Sequence, residues 1–224
     1  MTIRIGMLLF PNLTQLDLTG PYEVLARVPG AELSLVWKDL SPVRAGTGLT
    51  ILPTVTLSGA PQFDVLFVPG GRGCVPLMHD AEVLSFLRKQ AQDARHVTAV
   101  CTGSLLLGAA GLLEGYEATT HWAFHELLAQ CGARPVRKRV VIDRNRITGG
   151  GITAGIDFGL RLAAALSNER AARAIQLGLE YDPEPPYRSG SPEVADAELV
   201  QMVRGQLDAS RREHEAALTE RQRV

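Results

Sequence analysis

Residues 97–113 read VTAVCTGSLLLGAAGLL, and this stretch decides the fold class. Its first four residues are an apolar run that predicts a buried strand, and Ser104–Leu113 is apolar and rich in small residues, which predicts a buried helix. Cys101 follows the strand directly, so it lies on a sharp strand-to-helix turn. Such turns are typical of the carboxyl edge of a parallel sheet, where α/β proteins bind ligands.

The alternation of strands and helices continues along the chain. Further strands are predicted at Ile3–Phe10, Glu32–Trp37, Asp64–Val68, Val136–Ile142 and Arg146–Thr148. Further helices are predicted at Thr19–Val28, Asp80–Ala94, His121–Gln130, Thr153–Leu166 and Glu169–Leu179. This order predicts an α/β fold with a mostly parallel sheet and helices on both faces. We expect one domain over residues 1–192 and an attached surface helix over 193–224, capped by Ser191 and started by Pro192.

Composition excludes several functional classes. The chain has 224 residues, with 23 Lys and Arg against 24 Asp and Glu, so no overall positive charge attracts nucleic acid or anionic lipid. No apolar run approaches the roughly 20 residues of a membrane span. The three cysteines, Cys74, Cys101 and Cys131, form no CxxC pair, which argues against a disulfide framework or a zinc site and favours a cytoplasmic location.

Cys101 is the strongest candidate for a nucleophile. A helix N-terminus favours negative charge, so we expect it to lower the pKa of the Cys101 thiol. Gly103 allows the tight turn, and the amide of Thr102 is placed to donate to developing negative charge. The alternative is a buried structural cysteine.

Two other segments supply candidate partners for Cys101. Gly70 and Gly71 follow a predicted strand, where backbone N–H groups could approach a ligand or the thiolate; the alternative is a plain turn. Asp17 stands among leucines, which predicts a raised pKa and a role as general acid. It reaches the edge that carries Cys101 if the strand order brings the first strand and the strand at 97–100 together. The alternative is an aspartate that begins a helix or caps a turn.

The remaining polar signals are weaker. Cys74 is a minor candidate in a predicted loop, and Cys131 is expected to pack. His121 and His125 share a helix face without a third ligand, so we predict no metal site. The basic residues of segment 134–146 are expected to form a solvated face rather than an anion site.

Several motifs together resemble the ThiJ/PfpI superfamily, the flavodoxin-like relatives of class I glutamine amidotransferases. They are LDLTGPYEVLARV (16–28), FVPGG (67–71), AVCTGSLLLGAAGLLEG (99–115) and ATTHW (118–122), with DFGLRLAAAL (157–166) and EYDPEPPYRSGSP (180–192) extending the similarity. Many members have histidine directly after the nucleophile. Thr102 occupies that position here, which disfavours protease, deglycase and chaperone functions and agrees with the branch that hydrates isonitriles.

The resemblance implies a flavodoxin-like three-layer sandwich and a cofactor-free, homodimeric hydro-lyase. It would convert an isonitrile (R–N≡C) and water to an N-substituted formamide, with Cys101 as nucleophile and Asp17 and Thr102 as catalytic partners. We expect the Thr102 hydroxyl to hold Asp17 or the substrate, and the N–H groups of Gly71 and Thr102 to stabilise charge. A backbone N–H near Gly150–Ile152 is a further candidate donor to the thiolate.

Two other functions remain open at this point. A redox or stress-response protein of the same fold would use Cys101 as an oxidisable thiol without turnover. A ligand-sensing regulator would need a helix-turn-helix domain, and we expect the segment after the Pro-rich stretch to have room for one surface helix only.

Overall fold

The computed structural model describes residues 2–221, and a seven-stranded sheet lies at their centre. The strands are β1 (Ile3–Leu8), β2 (Ala31–Trp37), β3 (Val43–Arg44), β4 (Thr50–Ile51), β5 (Val55–Thr56), β6 (Val65–Val68), β7 (His96–Val100), β8 (Glu117–Ala118), β9 (Arg134–Pro135), β10 (Val140–Asp143) and β11 (Arg146–Gly149). The central sheet has the order β10-β11-β7-β6-β1-β2-β5, and only β10 and β11 pair antiparallel within it. The predicted mostly parallel sheet is confirmed.

Strand order places three chain segments at one edge of the sheet. β6 lies between β1 and β7, because Phe67 pairs with Met7 on one side and with Thr98 on the other. The first strand and the strand before Cys101 are therefore not neighbours, but all three strands are parallel and their carboxyl ends meet at the same edge. Asp17 follows β1, Gly70 follows β6 and Cys101 follows β7.

Helices cover both faces of the sheet. They are α1 (Gln15–Leu25), α2 (Cys74–Leu77), α3 (Ala81–Asp93), α4 (Gly103–Ala109), α5 (Ala154–Leu166), α6 (Glu169–Gly178) and α7 (Ala197–Arg221), with a 3-10 helix at Trp122–Cys131. One group packs α1 and α6 against α5, and another packs α2, α4 and the 3-10 helix with α7. No helix within residues 2–221 is long and apolar enough to span a membrane.

The start of α1 corrects the predicted helix Thr19–Val28. The helix begins at Gln15 after the N-cap residue Thr14, and the Thr19 hydroxyl donates to the Gln15 side chain at 2.8 Å. Pro21 consequently lies inside the helix rather than in its first turn. Asp17 occupies the first turn, where a negative charge is favourable.

Two more predictions about segments change. The strand predicted at Val136–Ile142 begins at Val140, because the Val136 N–H donates instead to the Ala118 carbonyl of β8 at 2.9 Å. The final helix begins at Ala197 rather than Pro192, since Asp196 accepts the Leu199 N–H at 2.8 Å and acts as the cap. Its predicted last residues, 222–224, lie outside the described residues. The helix is also less superficial than predicted, because His214 is almost fully buried.

Candidate active site

Cys101 adopts a backbone conformation that is uncommon for a residue with a side chain. Its φ is +57°, in the left-handed region, which costs about 1–2 kcal/mol per residue. Hydrogen bonds hold this conformation on both sides. The Cys101 N–H donates to the carbonyls of Gly150 at 2.8 Å and Gly149 at 3.1 Å, and its carbonyl accepts from the Thr120 hydroxyl at 2.7 Å. The sharp turn before α4 is thus the elbow that the sequence predicted.

Asp17 is a fully buried acid beside this elbow. Its Oδ2 accepts the Gly70 N–H at 3.1 Å, whereas the buried Oδ1 has no hydrogen bond of ordinary geometry from another of residues 2–221. Burial raises the pKa of Asp17 from 3.8 to about 7, although contacts with the Cys101 thiol and the Gly70 N–H partly lower it. A carboxyl group with this pKa can both accept and donate a proton near neutral pH.

The Cys101 thiol differs from the sequence prediction. Burial raises the pKa of Cys101 well above its ordinary value, and the nearby Asp17 carboxylate raises it further. The Thr102 N–H, which faces the sulfur, lowers the pKa only in part. The expected decrease from the helix N-terminus is therefore wrong, because desolvation of the sulfur is the larger effect. The neutral thiol is the resting form, and a base must remove its proton during any reaction.

The loop after β6 leaves no room for a side chain at Gly70 or Gly71. A Cβ atom on Gly70 would lie 2.6 Å from the Thr102 nitrogen and 2.8 Å from both Asp17 Oδ2 and the Cys101 Cβ. Gly71 has a φ of +127°, and a Cβ there would lie 2.5 Å from the Thr14 nitrogen. Both glycines are consequently required for Asp17, Cys101 and the Thr102 N–H to lie close together.

The Thr102 hydroxyl contacts this loop and not Asp17. It accepts the Gly71 N–H at 2.9 Å and lies 3.9 Å from the sulfur of Cys74. The prediction that the Thr102 hydroxyl holds Asp17 is therefore corrected. The Gly71 N–H is occupied by this hydroxyl, and the Gly70 N–H by Asp17, so neither is free to stabilise charge on a substrate.

The hydrogen bond near Gly150 differs from the predicted one, in which a backbone N–H donates to the Cys101 thiolate. The Gly150 N–H donates to the Arg139 carbonyl at 2.9 Å, and it is the Gly150 carbonyl that contacts Cys101. Among the described residues, Ile152 forms no hydrogen bond with Cys101, and its side chain is partly exposed. Segment 149–151 therefore binds the backbone N–H of Cys101 and not the Cys101 sulfur.

The other two cysteines are buried. Cys74 lies in α2 rather than in a loop, and burial strongly raises the pKa of its thiol. Cys131 packs against Gly108, and burial raises its pKa to about 12. The expectation that Cys131 packs is confirmed, and Cys74 loses the exposure that made it a candidate.

Several supporting residues escaped the sequence prediction. Thr120 belongs to the quoted ATTHW motif, but no spacing rule indicates that its hydroxyl reaches Cys101. His214 and Glu213 come from α7: the Glu213 carboxylate binds the Arg72 guanidinium, with a 2.8 Å bond from Nε, and the His214 ring lies near the Gly71 backbone. These contacts attach α7 to the loop that holds Thr102 and Asp17.

The site therefore offers a thiol, an acid with a pKa near neutrality and a backbone N–H that faces the sulfur. Within residues 2–221, no three His, Cys, Asp or Glu side chains cluster in a way that could hold a metal ion. The geometry suits covalent catalysis with a general acid–base group.

Comparisons with known proteins identify relatives that match most of this chain. The model of the DJ-1/PfpI family matches residues 3–165. The isonitrile hydratase of Pseudomonas putida is 57% identical over 204 residues, which cover 91% of this chain and 90% of that protein. The transcriptional regulator GbdR of Pseudomonas aeruginosa is 36% identical over 80% of this chain, but only 50% of the regulator is covered. The crystal structure of a ThiJ/PfpI family protein from Pseudomonas syringae has a TM-score of 0.95 at 43% identity, covering 97% of this chain and 91% of that one.

Proposed function

The chain belongs to the DJ-1/PfpI family, and we propose that it is an isonitrile hydratase that converts R–N≡C and water to an N-substituted formamide. The contact between the buried Asp17 and the Cys101 thiol carries the mechanism. The terminal carbon of an isonitrile takes up a nucleophile and a proton at the same atom. A thiol beside a carboxyl group that can take and return a proton matches that requirement.

The first step adds the thiol across the terminal carbon. Cys101 Sγ forms a bond to this carbon while its proton passes to the Asp17 carboxylate, and Asp17 delivers the proton to the same carbon. The product is a thioimidate, R–N=CH–S–Cys101. Asp17 returns to its ionised form, so one proton has moved from sulfur to carbon.

The second step hydrolyses the thioimidate. Water attacks the carbon and gives one proton to Asp17, which passes a proton to the substrate nitrogen. The resulting R–NH–CH(OH)–S–Cys101 collapses as the carbon–sulfur bond breaks, and the hydroxyl proton returns to sulfur through Asp17. The products are the formamide and the original thiol, so no oxidant, reductant or cofactor is consumed.

Neighbouring backbone groups support both steps. The N–H of Thr102 faces the Cys101 sulfur and stabilises negative charge that develops there. The Thr102 hydroxyl keeps the Gly71 loop in place, and the missing side chain of Gly70 leaves the space in which sulfur and carboxyl meet.

Assembly and location form a separate part of the proposal. We propose a homodimer, because apolar side chains of Leu16, Ile156 and Leu179 line an open cleft, and Leu177, two residues before Leu179, is 82% exposed. The three unpaired cysteines favour the reducing cytoplasm. Light scattering of the purified protein tests the dimer, and a monomeric mass would refute it.

The decisive experiment is an assay with cyclohexyl isocyanide. We expect purified protein to form the N-substituted formamide, the Cys101→Ala variant to form none, and the matched Cys131→Ala variant to retain activity. Intact-protein mass spectrometry during turnover should detect the adduct on Cys101. Absence of formamide, or an adduct on Cys74, would overturn the proposal.

A further inference from the structure

Thr120 makes an unusual contact with the nucleophile. Its hydroxyl donates to the Cys101 carbonyl at 2.7 Å, which is shorter than the bonds of the Cys101 N–H to Gly150 and Gly149. The Ser104 N–H also approaches this carbonyl, but at 3.3 Å. The Thr120 bond acts on the residue whose left-handed φ defines the elbow, so it touches the most strained point of the site.

Thr120 is itself held rigidly. It is only 2% exposed, and it lies two residues after the end of β8. The N–H of the preceding residue, Thr119, donates to the Thr148 hydroxyl at 2.9 Å, and Thr148 lies in β11 opposite Ala99 of β7. The hydroxyl therefore reaches Cys101 from a segment fixed to the same sheet that ends in the nucleophile.

The bonded carbonyl belongs to the peptide group that also contains the Thr102 N–H. In a trans peptide the C=O and N–H bonds point in opposite directions, so fixing the carbonyl also fixes the direction of the N–H. That N–H faces the Cys101 sulfur and lowers its pKa. A hydrogen bond accepted by the carbonyl also polarises the peptide and strengthens the N–H as a donor.

We propose that Thr120 is a positioning residue that acts on the Cys101 sulfur through the peptide between Cys101 and Thr102. Its hydroxyl orients and polarises this peptide, and the Thr102 N–H stabilises the thiolate that forms during attack. Thr120 touches neither the sulfur nor the substrate. The proposal rests on the proposed function wherever turnover is the readout, but the reactivity of the thiol can be measured without it.

The test compares three variants. Thr120→Val keeps the shape of the side chain but removes the hydroxyl donor, and Thr120→Ser keeps a hydroxyl donor. Thr119→Val removes the hydroxyl of the neighbouring residue and keeps the Thr119 N–H that binds Thr148. The rate of Cys101 alkylation by iodoacetamide is followed against pH, with thermal unfolding as the measure of stability. Thr120→Cys, whose thiol is a weaker donor, replaces Thr120→Val if the valine variant does not fold.

We expect the alkylation profile of Thr120→Val to shift to higher pH, and its kcat for isonitrile hydration to fall about ten- to hundredfold with little change in KM. Thr120→Cys should show a smaller shift in the same direction. Thr120→Ser and Thr119→Val should follow the wild type. An unshifted profile in the valine or cysteine variant, or an equal shift in Thr119→Val, would overturn the role of Thr120. Wild-type protein that forms no formamide would refute the proposed function alone, because the alkylation profiles would still report on Thr120.

Discussion

The burial of Asp17 predicts a pH-dependent loss of stability that a single substitution should relieve. The pKa of Asp17 is about 7 in the folded protein against 3.8 for an ordinary aspartate, so folding favours the protonated form. The stability that protonated Asp17 contributes is fully present below about pH 4 and is lost as the pH rises through 7. About three pKa units at 1.36 kcal/mol each correspond to a loss of about 4 kcal/mol. Asp17→Asn removes the titrating group and should not suffer this loss.

Urea unfolding followed by tryptophan fluorescence measures the effect. The free energy of unfolding of Asp17→Asn, relative to the wild type, should increase by up to about 4 kcal/mol between about pH 4 and about pH 8. The thiol of Cys101 does not titrate in this window, because its pKa is raised well above the ordinary value. Other groups that titrate in both proteins cancel in the difference.

Asp80 provides a control whose titration lies outside this window. Burial opposes ionisation of Asp80, but its contacts with Lys38 and the Val83 N–H outweigh burial and lower its pKa below 3.8, so its contribution to stability is present above about pH 4 and is lost only in stronger acid. The difference in unfolding free energy between Asp80→Asn and the wild type should therefore stay nearly constant between about pH 4 and about pH 8. If the difference between Asp17→Asn and the wild type were constant across this range, the assignment of Asp17 as a buried acid with a raised pKa would be refuted.

Three further predictions concern activity and labelling. Asp17→Asn should lower the kcat of isonitrile hydration by about 10²–10⁴-fold while the circular dichroism spectrum is retained; wild-type turnover would exclude Asp17 from proton transfer. Gly70→Ala should abolish formamide formation and lower the melting temperature, because the new Cβ would lie 2.8 Å from Asp17 Oδ2, and an active, stable variant would contradict the tight packing of the loop. Iodoacetamide should label Cys101 but not Cys74 in the native protein, since Cys74 is fully buried; peptide mass spectrometry identifies the site, and preferential labelling of Cys74 would contradict this.

Local patterns in the sequence account for much of the fold. The apolar run before Cys101 and the small residues after it define a strand, a turn and a helix within one window, so the elbow can be predicted without tertiary information. The Pro-Gly-Gly segment and the leucines around Asp17 similarly place candidate groups at strand ends. Because the strands are parallel, their carboxyl ends meet at one edge of the sheet even where another strand lies between them.

The remaining features depend on contacts between distant segments. The pKa of Cys101 is set by the depth of burial, which no local pattern reports, and the helix N-terminus alone suggested the wrong direction. The hydroxyls of Thr102 and Thr120 each have several possible acceptors, and only the packed structure selects among them. The start of α1 escaped prediction because a proline inside a helix usually marks its first turn.

The attachment of α7 to the Gly71–Arg72 loop has a consequence for biosynthesis. The sheet and Cys101 are encoded before Gly178, whereas the contact from Glu213 comes roughly 35 residues later, a delay of about 2 to 7 s at 5–20 residues per second on the ribosome. During that interval the nascent chain contains the Cys101 thiol but lacks the ion pair between Glu213 of α7 and Arg72. The order of translation thus delays the contact of α7 with the Gly71–Arg72 loop until the rest of the α/β body has been made.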